Sequence, residues 1–145
     1  MSNIYVLGAG MVGSAMAIDL AKKHHVTISD ISSEVLSRVV EKEPSLKTEI
    51  LDVTDTKDLA SKIKDADLVL SAVPGFLGFE TLKKIILQGK NTVDISFFPE
   101  NALELNQLAL ENNVTAIVDC GVAPGMDNVI LGYYNETHDI DFFEC

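Results

Sequence analysis

Gly8, Gly10 and Gly13 stand at the G-x-G-x-x-G spacing within Asn3-Ile4-Tyr5-Val6-Leu7-Gly8-Ala9-Gly10-Met11-Val12-Gly13, and each has a physical job in a turn that cradles phosphate. Gly8 permits the tight turn, Gly10 lets a pyrophosphate approach the backbone, and Gly13 lets the following helix pack closely on the strand. Free amides at the start of that helix, together with its dipole, form an anion site. Glycine-rich turns also serve plain packing. Position selects the dinucleotide reading here, because the motif follows an apolar strand and opens a helix-compatible segment.

A second group of residues extends the site. The β-branched run Val26-Thr27-Ile28-Ser29 ends at Asp30, seventeen residues beyond Gly13 and close to the spacing at which a dinucleotide fold places an acid on the adenosine ribose. A carboxylate there accepts hydrogen bonds from both ribose hydroxyls and repels a 2′-phosphate, which favours NAD over NADP. Ile31 and Ser32 follow it along the same edge. The competing role for Asp30 is to cap the next helix, which Ser32 and Ser33 could do equally well. Asp52 and Val53 end a third strand beside the expected adenine position, where Asp52 could accept the adenine amino group and Val53 line the ring; a turn-forming role for Asp52 stands beside this. Ala72, Val73, Pro74 and Gly75 close the most continuous apolar strand, and small side chains there let a ribose and pyrophosphate pass close to the backbone. Pro-Gly is also a common local turn signal.

The elements that must position these residues follow from periodicity. Helical spacing runs over Met11 to Lys23 with Val12, Ala15, Met16 and Leu20 inward, then over Glu34 to Glu43, Asp55 to Lys64, Phe79 to Gln88 and Glu100 to Asn112. Strands fall at Thr48 to Val53, Asp67 to Val73, Asn91 to Ile95 and Val114 to Val118, besides the two already named. Six strands alternating with helices through short loops predict an α/β fold, a doubly wound six-stranded parallel sheet of order 3-2-1-4-5-6 with helices on both faces, the Rossmann fold. In such a sheet ligands lie beyond the carboxyl ends of the strands, where strand order reverses. The loop from Ala72 to Gly75 then faces the glycine turn. Residues 1–132 make this domain. From Tyr133 the chain turns polar and ends in the alternating Ile140-Asp141-Phe142-Phe143-Glu144-Cys145, a pattern for the first strand of a further, truncated domain.

Composition bounds the class. The chain has 145 residues, 47% hydrophobic, with a formal charge of -11, which suits one packed domain and argues against nucleic acid or an anionic membrane surface as partner. Strand one begins within three residues of the start, leaving no room for a signal peptide, and the longest apolar run is too short to span a bilayer. The expected location is cytoplasmic. Cys120 and Cys145 match no zinc or redox spacing, so no metal is expected and the thiols are expected free. His24 and His25 read as helix-end residues. No residue stands out as the catalytic acid or base.

The glycine turn, the segment Leu68-Val69-Leu70-Ser71-Ala72-Val73-Pro74-Gly75 and the segment Cys120-Gly121-Val122-Ala123-Pro124-Gly125-Met126-Asp127-Asn128 together resemble the saccharopine dehydrogenase family. The last segment is most similar to its lysine dehydrogenase-like branch. The resemblance implies an oxidoreductase that uses a nicotinamide cofactor on an amino acid, with a second, α+β domain closing over this small-molecule substrate, and leaves a homo-oligomer open. It assigns the pyrophosphate to Gly8, Gly10, Met11 and Val12, the adenosine ribose to Asp30, and the nicotinamide side to Ala72 to Gly75. Cys120, Gly121 and the start of a helix at Pro124 would border nicotinamide and substrate; Pro124 suits a first helical turn, whose amides could face a substrate carboxylate. Saccharopine reductases carry an acid where this chain has Ala123, which favours a different amino acid or a polyamine precursor. Without the second domain the expected behaviour is NAD(H) binding without turnover. The rival reading is an NAD(H)-sensing regulatory module of the kind that gates potassium channels, against which the Ala123-Pro124-Gly125 segment speaks.

Overall fold

The computed structural model of the chain describes residues 1–144; Cys145 lies outside them. Six strands, β1 (Asn3–Leu7), β2 (His25–Asp30), β3 (Lys47–Ile50), β4 (Leu68–Ser71), β5 (Thr92–Asp94) and β6 (Ala116–Ile117), pair in parallel in the order β3-β2-β1-β4-β5-β6. Between them run α1 (Met11–Ala21), α2 (Ser33–Lys42), α3 (Thr56–Ile63), α4 (Gly75–Leu87) and α5 (Asn106–Glu111), the last preceded by a 3-10 turn over Ala102–Leu105. Helix α6 (Met126–Asn135) follows β6. This is the doubly wound Rossmann order expected from the sequence, with its reversal between β1 and β4.

Alternation along the strands fills both faces. Ile4, Val6, Val26 and Ile28 pack under α1 and α2 with Ala17, Leu36 and Val39. Tyr5, Leu7 and Val69 face the other way, against Leu59 and Ile63 of α3 and Ile85 of α4. Ser32 caps α2, accepting from the Val35 amide at 3.3 Å, and Asp55 caps α3, accepting from Lys57 and Asp58. Each cap satisfies donors that the helix cannot satisfy itself.

Several boundaries differ from the periodicity. The inward face of α1 is Gly13 and Ala17, with Val12 exposed, where the spacing predicts Val12 and Ala15. The reason is backbone contact: a Cβ on Gly13 would sit 2.0 Å from the Gly8 carbonyl oxygen, so this glycine, and with it the face one residue along, is drawn to the sheet. Helix α4 begins at Gly75, four residues early, because Pro74 supplies an extended N-cap (φ -57°, ψ 144°) and Gly75 and Gly78 have no side chain to strike Phe97 and Ser96. β3 ends at Ile50, placing Asp52 and Val53 in a loop. Helix α6 runs through Gly132, so the boundary expected there falls inside a helix. Among the described residues, 136–144 form no strand.

Candidate functional site

The glycine turn sits where β1, β2 and β4 end together. Gly8 has φ +94°, a backbone conformation only glycine adopts without strain, and donates its amide to the Ser29 carbonyl at 2.8 Å. A Cβ there would meet the Ala72 oxygen at 2.6 Å. The turn is thereby pressed against the β4 end, where the Ala72 amide donates to Leu7 O at 2.8 Å. Gly10 is different, since a Cβ on it would meet nothing within 4 Å. It is the N-cap of α1 without any side-chain cap, and no acidic residue stands in the first turn. The first intrahelical bond runs from Ser14 N to Gly10 O, so the amides of Met11, Val12 and Gly13 precede it and lack intrahelical acceptors. Met11 and Val12 are exposed above them. Uncapped donors, a positive helix end and open space over Gly10 make a cradle that fits an anionic group such as a pyrophosphate.

Asp30 closes the next side. Its Oδ2 accepts from the Ala9 amide at 2.8 Å and its Oδ1 from the Ser32 amide at 2.9 Å. One carboxylate therefore ties the end of β2 to the glycine turn and fixes its own direction, while Ser32 takes the capping role for which Asp30 was the competitor. Ile31 projects beside it, exposed. Each oxygen keeps further acceptor capacity for a ribose hydroxyl. Along the α1–α2 groove a cavity of about 470 Å³ adjoins the turn, lined by Ala9, Gly10, Met11, Ser14, Arg38 and Lys42 among others. Periodicity marks Arg38 only as a solvent-facing helix residue, so the sequence gives no signal for this cationic rim.

Asp52 and Val53 divide. The Asp52 Oδ1 accepts from the Thr54 amide at 2.8 Å and its hydroxyl at 2.7 Å, the turn role, and these bonds hold its carboxyl below the usual range. Val53 is packed with Leu59 and Val73. Lys84 of α4 pins this loop, donating to Val53 O at 3.0 Å and Thr54 O at 2.9 Å, a contact invisible in sequence because the partners are main chain.

Across the crevice, Ala72, Val73, Pro74 and Gly75 pass from β4 into α4, and below them lies a buried polar cluster. Asp94 is fully buried; its Oδ1 accepts from the Ser96 amide at 2.7 Å and from the Ser96 hydroxyl, while Oδ2 has no partner. Burial raises its pKa above the ordinary carboxyl value against the pull of those bonds. Sequence reading passes over Asp94 because it looks like any strand-end turn residue.

Cys120 and Gly121 lie two strands from β4, at the end of β6. The Cys120 amide reaches Asp94 O at 3.4 Å and its side chain is exposed. Loss of water around the sulfur pushes the thiol up, and Asp119 and Asp94 add to it; it is no activated thiolate. Pro124 is not in a first helical turn: the N-cap of α6 is Gly125, at φ 140°. Nor is that helix end open to an anion, because Met126 N and Asp127 N donate to Gly121 O and Val122 O and the Asp127 carboxylate takes Asn128 N. Among the described residues no group of His, Cys, Asp or Glu is arranged to hold a metal ion, and no helix is long and apolar enough to cross a membrane.

Comparison with known proteins follows the same outline. The family model described as saccharopine dehydrogenase NADP binding domain matches residues 4–117. Saccharopine dehydrogenase (NADP(+), L-glutamate-forming) of Pyricularia oryzae is 28% identical over 134 residues, covering 88% of this chain and 28% of that protein. The chain thus spans little more than a quarter of that relative. Apo saccharopine dehydrogenase (L-Glu forming) from Saccharomyces cerevisiae superposes with a TM-score of 0.80 at 26% identity, covering 95% of this chain and 32% of the other. GenD2 from gentamicin A biosynthesis, in complex with NAD, shares the fold at TM-score 0.63 and 19% identity, over 81% of this chain and 34% of its own.

Proposed function

Since the chain belongs to the saccharopine dehydrogenase family through its NADP-binding domain, we propose that it is the nucleotide-binding part of an amino-acid oxidoreductase and that it takes NAD(H) in preference to NADP(H). The observation that carries the preference is the Asp30 carboxylate, held at 2.8 Å on the Ala9 amide. There it accepts from a 2′-hydroxyl and repels a 2′-phosphate. Gly10 leaves room for the pyrophosphate, the amides of Met11 to Gly13 bind it, and the loop from Ala72 to Gly75 supports the nicotinamide side. When bound, the nicotinamide supplies the hydride acceptor or donor; the protein's share is to hold and orient it.

The substrate walls belong to a second domain in this reading, reached through the segment from residue 133. Ala123 offers no carboxylate to a substrate, which supports an amino acid or related amine other than saccharopine. The isolated chain binds the cofactor without turnover, because hydride transfer needs both reactants held together in a closed, dry site.

A second cofactor reading has its own observation. Arg38 and Lys42 rim the cavity beside Ala9 and Gly10, and cations in that place attract a 2′-phosphate. Fluorescence titration with NADH and NADPH separates the two. NADH binds more tightly on the Asp30 account, and Asp30→Ser lowers NADH affinity while narrowing the gap to NADPH. Tighter NADPH binding that falls with Arg38→Ala establishes the second reading. Amino-acid oxidation by these 145 residues contradicts the assignment of the substrate site to another domain.

A further inference from the structure

The loop from Ala72 to Gly75 is short, and the buried residues beside it set both of its ends. It starts from Ser71, the last residue of β4, and finishes in the first turn of α4. Ser71 stands opposite Asp94 in the β4–β5 register, and both side chains are fully buried. Paired residues put their side chains on one face of a sheet. The Ser71 hydroxyl and the Asp94 Oδ2 accordingly face each other, and neither has another partner among the described residues. The second carboxyl oxygen, Oδ1, takes the amide of Ser96 at 2.7 Å and its hydroxyl.

The Ser96 bonds turn the chain back onto α4. An Asp that accepts from the residue two places on closes a turn of its own, and here that turn seats Ser96 and Phe97 against two glycines. A Cβ on Gly78 would strike Ser96 Oγ, and one on Gly75 would strike Phe97 O. Gly75 and Gly78 are about one helical turn apart, so the segment after β5 and the first turn of α4 meet without side chains between them. One carboxyl thereby faces the residue that precedes the loop and fixes the segment that seats the residue at its end. In its neutral form Oδ2 carries a proton for Ser71. Burial favours that form against the pull of the Ser96 bonds, and Asp119 at the end of β6 adds to it. A buried polar network of this kind holds one arrangement, because a slip leaves donors or acceptors unpaired.

We propose that Asp94 is a positioning residue for the nicotinamide half of the dinucleotide: held between Ser71 and Ser96, it sets the path of Ala72 to Gly75 on which that half rests. The inference rests on the cofactor reading. Asp94 itself is fully buried and acts through the loop alone.

Calorimetric titrations of the whole chain with NADH and with ADP-ribose, which lacks the nicotinamide, test it. The parent chain binds NADH the more tightly. Asp94→Ala weakens NADH about fivefold and leaves ADP-ribose unchanged, because the glycine turn and Asp30 are untouched. Asp94→Asn, which keeps an oxygen for Ser96 and offers an amide donor to Ser71, restores the affinity for NADH. Ser96→Ala removes the hydroxyl bond alone, spares the fold and shows the same selective loss at about twofold. The proposal is overturned if the parent binds ADP-ribose as tightly as NADH, if Asp94→Ala and Ser96→Ala weaken the two ligands equally or weaken neither, or if Asp94→Asn binds NADH as poorly as Asp94→Ala. A parent chain that binds neither ligand defeats the cofactor reading itself, and this inference with it.

Discussion

The half of the molecule built on β1, β2 and β4 and the part from β5 onward solve the same packing problem to different degrees. In the first, strand side chains on both faces are covered, Val6, Leu7, Ile28 and Val69 being fully buried, and helix ends are capped by Ser32 and Asp55. In the second, β6 is two residues long, Ile117 is exposed and α6 packs nothing away. Backbone closeness accounts for the contrast. Gly8 and Gly13 let the turn, α1 and the end of β4 approach to a distance no side chain would permit, and the same close approach leaves Gly10 facing open space. Rigidity and an open anion cradle come from one arrangement, while the side chains of α6 stay unburied in this chain.

The contrast can be broken most severely at Gly13. A Cβ there meets Gly8 O at 2.0 Å, so Gly13→Val is expected to cost about 3 kcal/mol or more, read as loss of the folded baseline in urea denaturation. Nearly as large is Leu59→Ala, where a fully buried side chain leaves a cavity costing about 2–5 kcal/mol; the matching change in the other part, Val129→Ala, stays within about 0.5 kcal/mol. Gly10→Ala separates function from stability: with no atom within 4 Å of the new Cβ, the melting temperature holds, while NADH affinity falls about tenfold, or 1.4 kcal/mol, as the methyl fills the cradle.

Smaller in effect is the titration of Asp94. Its pKa is raised in the folded state by burial, so the folded protein holds that proton more tightly than the unfolded chain does. The stabilisation is fully present below the ordinary carboxyl pKa and is lost as pH rises through the raised value. Asp94→Asn keeps an oxygen for Ser96 and removes the ionisation. In thermal melts from pH 5 to 8 the variant should lose less stability with rising pH than the parent, and at pH 8 be at least as stable.

What the sequence made legible follows the same division. The glycine turn, Asp30 and the strand order could be read because each rests on local rules: a φ only glycine tolerates, a spacing set by one βαβ unit, and alternation along buried strands. What could not be read depends on distant backbone. The early start of α4 needs Phe97 O against Gly75, the face of α1 is set by Gly8 O against Gly13, and the engagement of Asp52 with Thr54 rather than an open site is a choice between two local bonds. The alternating tail is in no strand among the described residues 136–144. Pro124 fits a first helical turn by residue type alone, but with Gly125 as N-cap the helix begins at Met126, two residues later, and the acceptors Gly121 O and Val122 O close its end.

The central claim is that NADH sits on the β1–β2–β4 edge and nowhere else. Backbone amide shifts measured on the 15N-labelled chain during an NADH titration test it directly. The expected result is a saturable shift concentrated at Gly10 to Gly13, Asp30 to Ser32 and Ala72 to Gly75, with α6 unmoved. Shifts centred instead on the groove at the opposite end of the sheet, where Tyr5 donates to Glu49 at 2.8 Å beside Lys62, or no shift at millimolar NADH, would contradict it.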